Sequence, residues 1–380
     1  MRRFLFSGEG WPYLLVPFIA IAVVFEFAHV GAVPTFFTST LGVIPTAALM
    51  GKATEELAAR AGPGIGGLLN VTFGNAPELI IALFALGAGL HEVVKASLLG
   101  SILGNSLLVL GAAAFVGGIG RDRQYFDRSA ASTQTTMLML AVAALVMPAI
   151  FVLDEGSGLP SPGAEIVDYD STVEYLSLAV AVVLILTYIA GLWFSLKTHR
   201  DLFNPGFEEG AGGAADEETA DEEHHEEPWS IRKAMIALAV AGLAVGLMSE
   251  ILVDSITETA EQISLSQFFI GAVVVAIVGN AAEHWVAVLV AAKDKMDLAV
   301  NIAIGSSAQI ALFVAPVLVL LSFVIGPFPM PLIFNGLELG AIMLAILIAN
   351  FVTHEGESTW FEGLQLLSVY VVLGLVFFFV

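Results

Sequence analysis

Apolar residues fill this chain in runs long enough to cross a bilayer, separated by short polar connections. Taking about 20 such residues as one span, the pattern predicts eleven helices, at 11–30, 33–60, 64–88, 93–118, 130–152, 173–195, 230–253, 265–292, 298–324, 331–350 and 361–380. The expected fold is therefore an all-α integral membrane protein. Arg2 and Arg3 precede the first run, but no small-residue cleavage site follows it, so the run reads as a retained helix and not as a signal peptide.

Two runs carry nearly the same interruption. Gly74-Asn75-Ala76-Pro77-Glu78 and Gly279-Asn280-Ala281-Ala282-Glu283 each place a carboxylate inside an apolar stretch. On insertion scales such a group costs roughly 2.5 to 3.5 kcal/mol at the centre of a membrane helix, so two at matching positions point to a site. The match extends in register. Adding 205 carries Glu56 to Glu261, Gly66 to Gly271, Glu78 to Glu283, Glu92 to Asp297 and Gly100-Ser101 to Gly305-Ser306. Helices two to six and seven to eleven thus form two units, and five spans per unit invert the second against the first. The expected divisions are an N-terminal helix (1–32), a first repeat (33–200), an acidic linker (201–229) and a second repeat (230–380).

Charge refines this picture. The chain is 57% hydrophobic, only 13% charged, and has a formal net charge of −22. With the N-terminus in the cytoplasm, the Lys and Arg residues gather at cytoplasmic helix ends, and only Lys95 falls outside that pattern. The C-terminus is then exoplasmic. The linker contributes ten acids between Glu208 and Glu227 with no basic residue among them, which makes nucleic acid an implausible partner. Cysteine is absent, excluding disulfides and thiolate metal sites.

The chemistry follows from the repeated motif. Glu78 and Glu283 supply anionic oxygens, and Asn75 and Asn280 sit one turn before them. Gly74, Pro77 and Gly279 weaken the helix so that backbone carbonyls can turn toward an ion. The following runs offer Ser101 and Asn105 in one half and Ser306 and Gln309 in the other as further oxygen and amide ligands, although small residues there also serve as packing surface. An all-oxygen set with two carboxylates suits a hard cation, Ca2+ foremost. Apolar surroundings disfavour an ionised carboxylate, so an empty site tends to hold protons and an arriving dication displaces them. His284 is a candidate proton relay, or equally a packed neutral histidine. A channel could use a similar acidic ring but needs a continuous pore. A metalloenzyme is disfavoured by the lack of a His-Glu-x-x-His spacing, and no organic cofactor is implied.

These residues also carry a family resemblance. The two motifs, Ala53-Thr54-Glu55-Glu56-Leu57-Ala58, the run from Gly66 to Phe73 and the acidic insert resemble the Ca2+/H+ antiporters of the cation/Ca2+ exchanger superfamily, over almost the whole chain. The resemblance implies Glu78 and Glu283 as the central acidic pair and a first helix outside the repeated core. It also implies a short cytoplasmic acidic helix, with Asp216, Glu217, Asp221, Glu222 and Glu226, that gathers or senses Ca2+. His284 directly after Glu283 resembles this branch, with Na+-coupled exchange as the competing mode. The expected setting is a prokaryotic cell membrane, with homo-oligomers left open.

Overall fold

The computed structural model describes residues 10–161, 169–198 and 229–380. Asp216, Glu217, Asp221, Glu222 and Glu226, the proposed Ca2+-sensing acids, lie outside the described residues. The helices are α1 (Trp11–Phe27), α2 (Ala32–Gly74), α3 (Ala76–Gly87), α4 (His91–Gly118), α5 (Arg128–Asp154) and α6 (Ser171–Thr198) in the first half. The second half holds α7 (Ile231–Ile263), α8 (Gln267–Gly279), α9 (Ala281–Ala292), α10 (Met296–Ser322), α11 (Gly336–Thr353) and α12 (Trp360–Phe378). Two short strands, β1 (Gln124–Tyr125) and β2 (Glu357–Ser358), pair antiparallel.

Small polar residues start several of these helices where an apolar run begins. Asp127, Asp170 and Ser230 each accept a backbone N–H from the first turn that follows. The Thr172 N–H, with the Ser171 and Thr172 hydroxyls, holds the Asp170 carboxyl below the usual carboxylate range. Glu338 gains a definite role, closing a reciprocal capping box with Asn335 at the start of α11. Glu56 pairs with Lys52 at 3.1 Å and accepts the Trp229 N–H at 2.7 Å, an interfacial pairing.

Burial separates the helices into centre and shell. The apolar windows of α4 and α10 are buried over 78% and 72% of their residues, against 22% for α6 and 17% for α12. The outer helices present large apolar side chains such as Leu186, Ile189, Val371 and Val372 to the surroundings. That is the distribution a lipid environment favours, because an apolar side chain facing acyl chains meets no water. α7 lies along α2, α8 against the first turns of α4, α9 and α12 against its last turns, and α10 against α6.

The element bounds keep the register of the sequence. Gly74, Ala76, Gly87 and His91 end or begin helices, and so do Gly279, Ala281, Ala292 and Met296, each 205 positions later. Both motifs break their helices at the asparagine. Asn75 (φ −95°, ψ 20°) and Asn280 (φ −96°, ψ 3°) adopt nearly the same non-helical conformation, and α8 and α9 meet there at 59°.

Some boundaries differ from expectation. The division predicted near 62 matches the end of the first apolar span, Ala32–Ala61, but helical hydrogen bonding does not stop there. Helical structure runs unbroken from Ala32 to Gly74, and the interruption comes at Asn75. The chain nevertheless doubles back within α2, since a Cβ built on Gly66 would lie 2.4 Å from the Ala58 carbonyl oxygen, where a straight helix would separate them by roughly 12 Å. Gly62, Pro63 and Gly64 occupy that bend. At 12 residues α3 is about 18 Å long, too short to cross a bilayer by itself. Among the described residues, eight helices are long and apolar enough to cross, or nine if α8 and α9 count as one broken span. α7 runs to Ile263, ten residues past its predicted end, because its final turns are polar and amphipathic where the apolar criterion stops.

Candidate cation site

The two helix breaks turn the motifs toward each other at the centre of the bundle. Neither asparagine caps its own helix; each reaches across to the other half. Asn280 Nδ2 donates to Ser101 Oγ at 3.1 Å, and Ser306 Oγ donates to Asn75 Oδ1 at 2.8 Å. These are the same residue pair at the offset of 205, with donor and acceptor exchanged. The glycines serve the same crossing. A Cβ on Gly74 would lie 3.6 Å from Glu283 Oε1, and one on Gly279 would lie 3.4 Å from Glu78 Cγ and 3.5 Å from its Oε1. Each carboxylate therefore lies against the glycine of the opposite motif.

Both carboxylates belong to the first turn of the helix after the break, where exposed N–H groups and the helix dipole favour negative charge. Glu78 is buried, with 6% of its surface exposed, whereas Glu283 is half-buried. Glu78 Oε2 and Asn280 Oδ1 are buried oxygens with no hydrogen-bond partner. An orphaned buried acceptor is costly, typically about 1–3 kcal/mol. Two acceptors in one place fit a cation, which needs oxygens and supplies no hydrogen bonds.

The remaining predicted residues form a chain around this pair. Asn75 Nδ2 donates to Gln309 Oε1 at 2.7 Å, and Asn105 Nδ2 donates to Ser306 Oγ at 3.2 Å. His284 Nε2 lies 2.9 Å from Asn105 Oδ1, an acceptor, so Nε2 carries the hydrogen with the amide oriented as assigned. Ser306 Oγ is also 3.5 Å from Glu283 Oε2. Glu78, Glu283, Asn75, Asn280, Ser101, Ser306, Asn105, Gln309, Gly74, Gly279 and His284 thus form one cluster. Asn105 is the second residue of a π-helical turn (Gly104–Val109), and Gln309 directly precedes another (Ile310–Val314), two turns that overlap at the offset of 205. A π-turn shifts the facing of side chains and recurs at functional sites. Sequence spacing alone carries no signal for it.

Two neighbouring contacts were not anticipated. Ser106 and Ser307 meet at 3.1 Å between α4 and α10, and Gln134 Nε2 donates to Asn301 Oδ1 at 2.6 Å near one end of the cluster. Serine pairs within apolar helices look like ordinary packing surface in a sequence. Among the described residues no group of three or more carboxylate or imidazole side chains converges; the oxygen set mixes two carboxylates with amides and hydroxyls.

Residues 31–197 and 233–379 match the sodium/calcium exchanger protein family. The Ca2+/H+ antiporter of Aphanothece halophytica is 42% identical over 367 residues, covering 96% of this chain and 95% of that protein. The Ca2+/H+ antiporter ChaA of Bacillus subtilis (strain 168) is 42% identical over 362 residues, covering 95% and 96%. The solved structure of native YfkE superposes with a TM-score of 0.79 at 38% identity, covering 97% of this chain and 100% of that chain. The chain belongs to the sodium/calcium exchanger protein family, among its Ca2+/H+ antiporters.

Proposed function

We propose that this protein exchanges Ca2+ for H+ across a membrane by alternating access, with Glu78 and Glu283 holding either the dication or protons. The observation that carries the reading is the pair of orphaned buried oxygens, Glu78 Oε2 and Asn280 Oδ1, one from each motif, with Glu78 packed against Gly279 of the opposing motif. Ca2+ takes six to eight oxygen ligands and competes with protons for carboxylates. Glu78, Glu283 and Asn280 supply the first of these ligands, and Ser101, Ser306, Asn75, Asn105 and Gln309 hold them in place or complete the shell. Backbone carbonyls at the breaks and water fill what remains.

Eleven spans, an N-terminal helix (1–32) and two inverted repeats (33–200 and 230–380) about an acidic linker (201–229) form the proposed architecture. Support comes from the helix bounds that recur at 205 and from the two Asn–Ser crossings. The protein is placed in the cell membrane with a cytoplasmic N-terminus, and the linker acids gather or sense Ca2+ there.

The two ends of the pathway are packed differently. A Cβ on Gly100 would lie 2.0 Å from the Ala272 carbonyl oxygen, so α8 presses directly on α4. The nearest atoms to a Cβ on the counterpart Gly305 belong to the Asn301 and Gln134 side chains, at 3.1 and 3.5 Å, and not to backbone. Exchange of these two packings between the halves opens the site to one side at a time.

In proteoliposomes, an imposed pH gradient drives Ca2+ uptake, collapse of the gradient stops it, and the apparent KM for Ca2+ rises as pH falls because protons occupy the same oxygens. Uptake that needs Na+ and ignores the pH gradient would establish the Na+-coupled mode instead. Steady Ca2+ current without any counter-ion would establish a channel.

A further inference from the structure

Lys95 is the one basic residue that departs from the loop-charge pattern, and the structure shows where it goes. It lies in the second turn of α4 with 4% of its surface exposed, and its Nζ donates to the Ile333 carbonyl at 3.0 Å. Ile333 belongs to the connection between α10 and α11, where residues 330–335 are all buried yet form neither helix nor strand. Irregular backbone at apolar depth is tolerated only where protein covers it and side chains satisfy it.

The remaining bonds meet that demand. The Met330 N–H donates to Ser322 Oγ at 2.8 Å, the Leu332 N–H to Ser177 Oγ at 3.0 Å, and the Asn335 N–H to Glu338 Oε2 at 2.6 Å. The outer part of the connection abuts the end of α3, since a Cβ on Gly326 would lie 2.6 Å from the Leu86 carbonyl oxygen and one on Gly89 would lie 2.9 Å from Pro327 Cγ. This wedge occupies the end of α4 where α8 is also closely packed, with Gly271 against Val93 and Ala96.

We propose that Lys95 is a positioning residue for transport, whose bond to Ile333 fastens the Met330–Asn335 wedge to α4 and keeps the packed end of the ion path shut. The inference rests on the alternating-access reading. An ammonium suits the task because it bonds a carbonyl across the gap while placing a positive charge where a cation would leak.

The test measures two fluxes in proteoliposomes: Ca2+ uptake driven by a pH gradient, and Ca2+ efflux with no gradient and no exchangeable ion outside. Wild-type protein without gradient-driven uptake would defeat the underlying reading before any variant is compared. Given such uptake, Lys95→Met lowers the ratio of coupled to uncoupled flux about tenfold, the effect of losing one charged hydrogen bond on a two-state closure, and Lys95→Arg restores it. A purely structural loss lowers both fluxes together, and an unchanged ratio overturns the proposal. If Lys95→Met does not fold, Ser177→Ala removes the adjacent pin without touching a charge, and an unchanged ratio there overturns it equally. The chain has no native cysteine, so a Gly87→Cys/Ile325→Cys pair reports the contact between α3 and the outer part of the same connection. Its crosslinking falls in Lys95→Met and survives in Lys95→Arg, and unchanged crosslinking in Lys95→Met overturns the proposal.

Discussion

The two halves repeat each other in register and differ in packing. Gly66 and Gly271 are equivalent, as are Gly100 and Gly305, yet their neighbours are unlike. Gly271 and Gly100 form a close backbone crossing between α8 and α4, whereas Gly66 meets its own helix at Ala58 and Gly305 meets the Asn301 side chain. The central contacts do not share this asymmetry, because Asn75–Ser306 and Asn280–Ser101 are both made. A pseudo-symmetric chain thus repeats its central Asn–Ser crossing while packing its two ends differently. The difference reflects which packing is occupied and not which residues are present, since the glycines needed for close approach exist in both halves.

The comparison can be tested at several depths. The largest effect is expected at the centre. Glu78→Gln and Glu283→Gln should each lower Ca2+ flux in proteoliposomes by at least about 100-fold, since each removes one of the two anionic ligands. Should one of them retain near-normal flux, the site would be one-sided.

Next come the glycine pairs. Gly100→Ala forces a Cβ onto backbone at 2.0 Å and should cost about 1–3 kcal/mol in thermal stability as well as transport. Gly305→Ala meets Asn301 Oδ1 at 3.1 Å, which can rotate away, so the melting temperature should hardly move. Its transport should still fall about tenfold, because that face must accept a close partner in the opposite state. Normal transport by Gly305→Ala would mean that the ends do not exchange.

Smaller effects separate the asparagines. Asn280 Oδ1 is unpartnered while Asn75 Oδ1 accepts from Ser306. Asn280→Ala should raise the KM for Ca2+ about tenfold and Asn75→Ala only about threefold, read from uptake against Ca2+ concentration. Equal effects would argue that both asparagines bind the ion alike.

The smallest effects lie in the connections. Arg121 donates to the Gly117 carbonyl and, at 3.2 Å, to the Ala292 carbonyl at the end of α9, so Arg121→Ala should lower stability by about 1 kcal/mol. Exposed Arg123, paired with Glu357, should leave the melting temperature unchanged when replaced by Ala. The opposite connection grips α3 through Gly326 and Pro327 instead, so loss of an arginine has no counterpart there.

Much of the site could be read from residues because its chemistry is local. A carboxylate in an apolar run is conspicuous wherever it falls, and a motif written twice at one offset identifies its own counterpart. Ser101 and Ser306 could be nominated because they follow those motifs in register, and Asn105 and Gln309 because they lie one turn further on, although they are not each other's counterparts. Their roles could not be read. Asn105 is committed to His284 and Ser306, and Gln309 to Asn75, while Asn280 keeps an open oxygen. Nothing in the spacing distinguishes these fates, because they depend on helices that cross far apart in sequence. Glu338 and Lys95 show the same limit. One closes a capping box and the other bonds a distant carbonyl, and the spacing of residues shows neither.

By itself the sequence determined that the chain is a membrane protein, where its polar motifs interrupt apolar runs, and that its halves share one register. Those properties follow from hydrophobic length, the cost of burying charge and simple repetition. Only the tertiary structure decided that the breaks fall at the asparagines, that each motif faces the other's glycine and which oxygens stay free. It also decided that α8 and α4 cross backbone to backbone at one end. Such features arise from contacts between distant segments, where two equivalent sequences can occupy different packings of similar free energy.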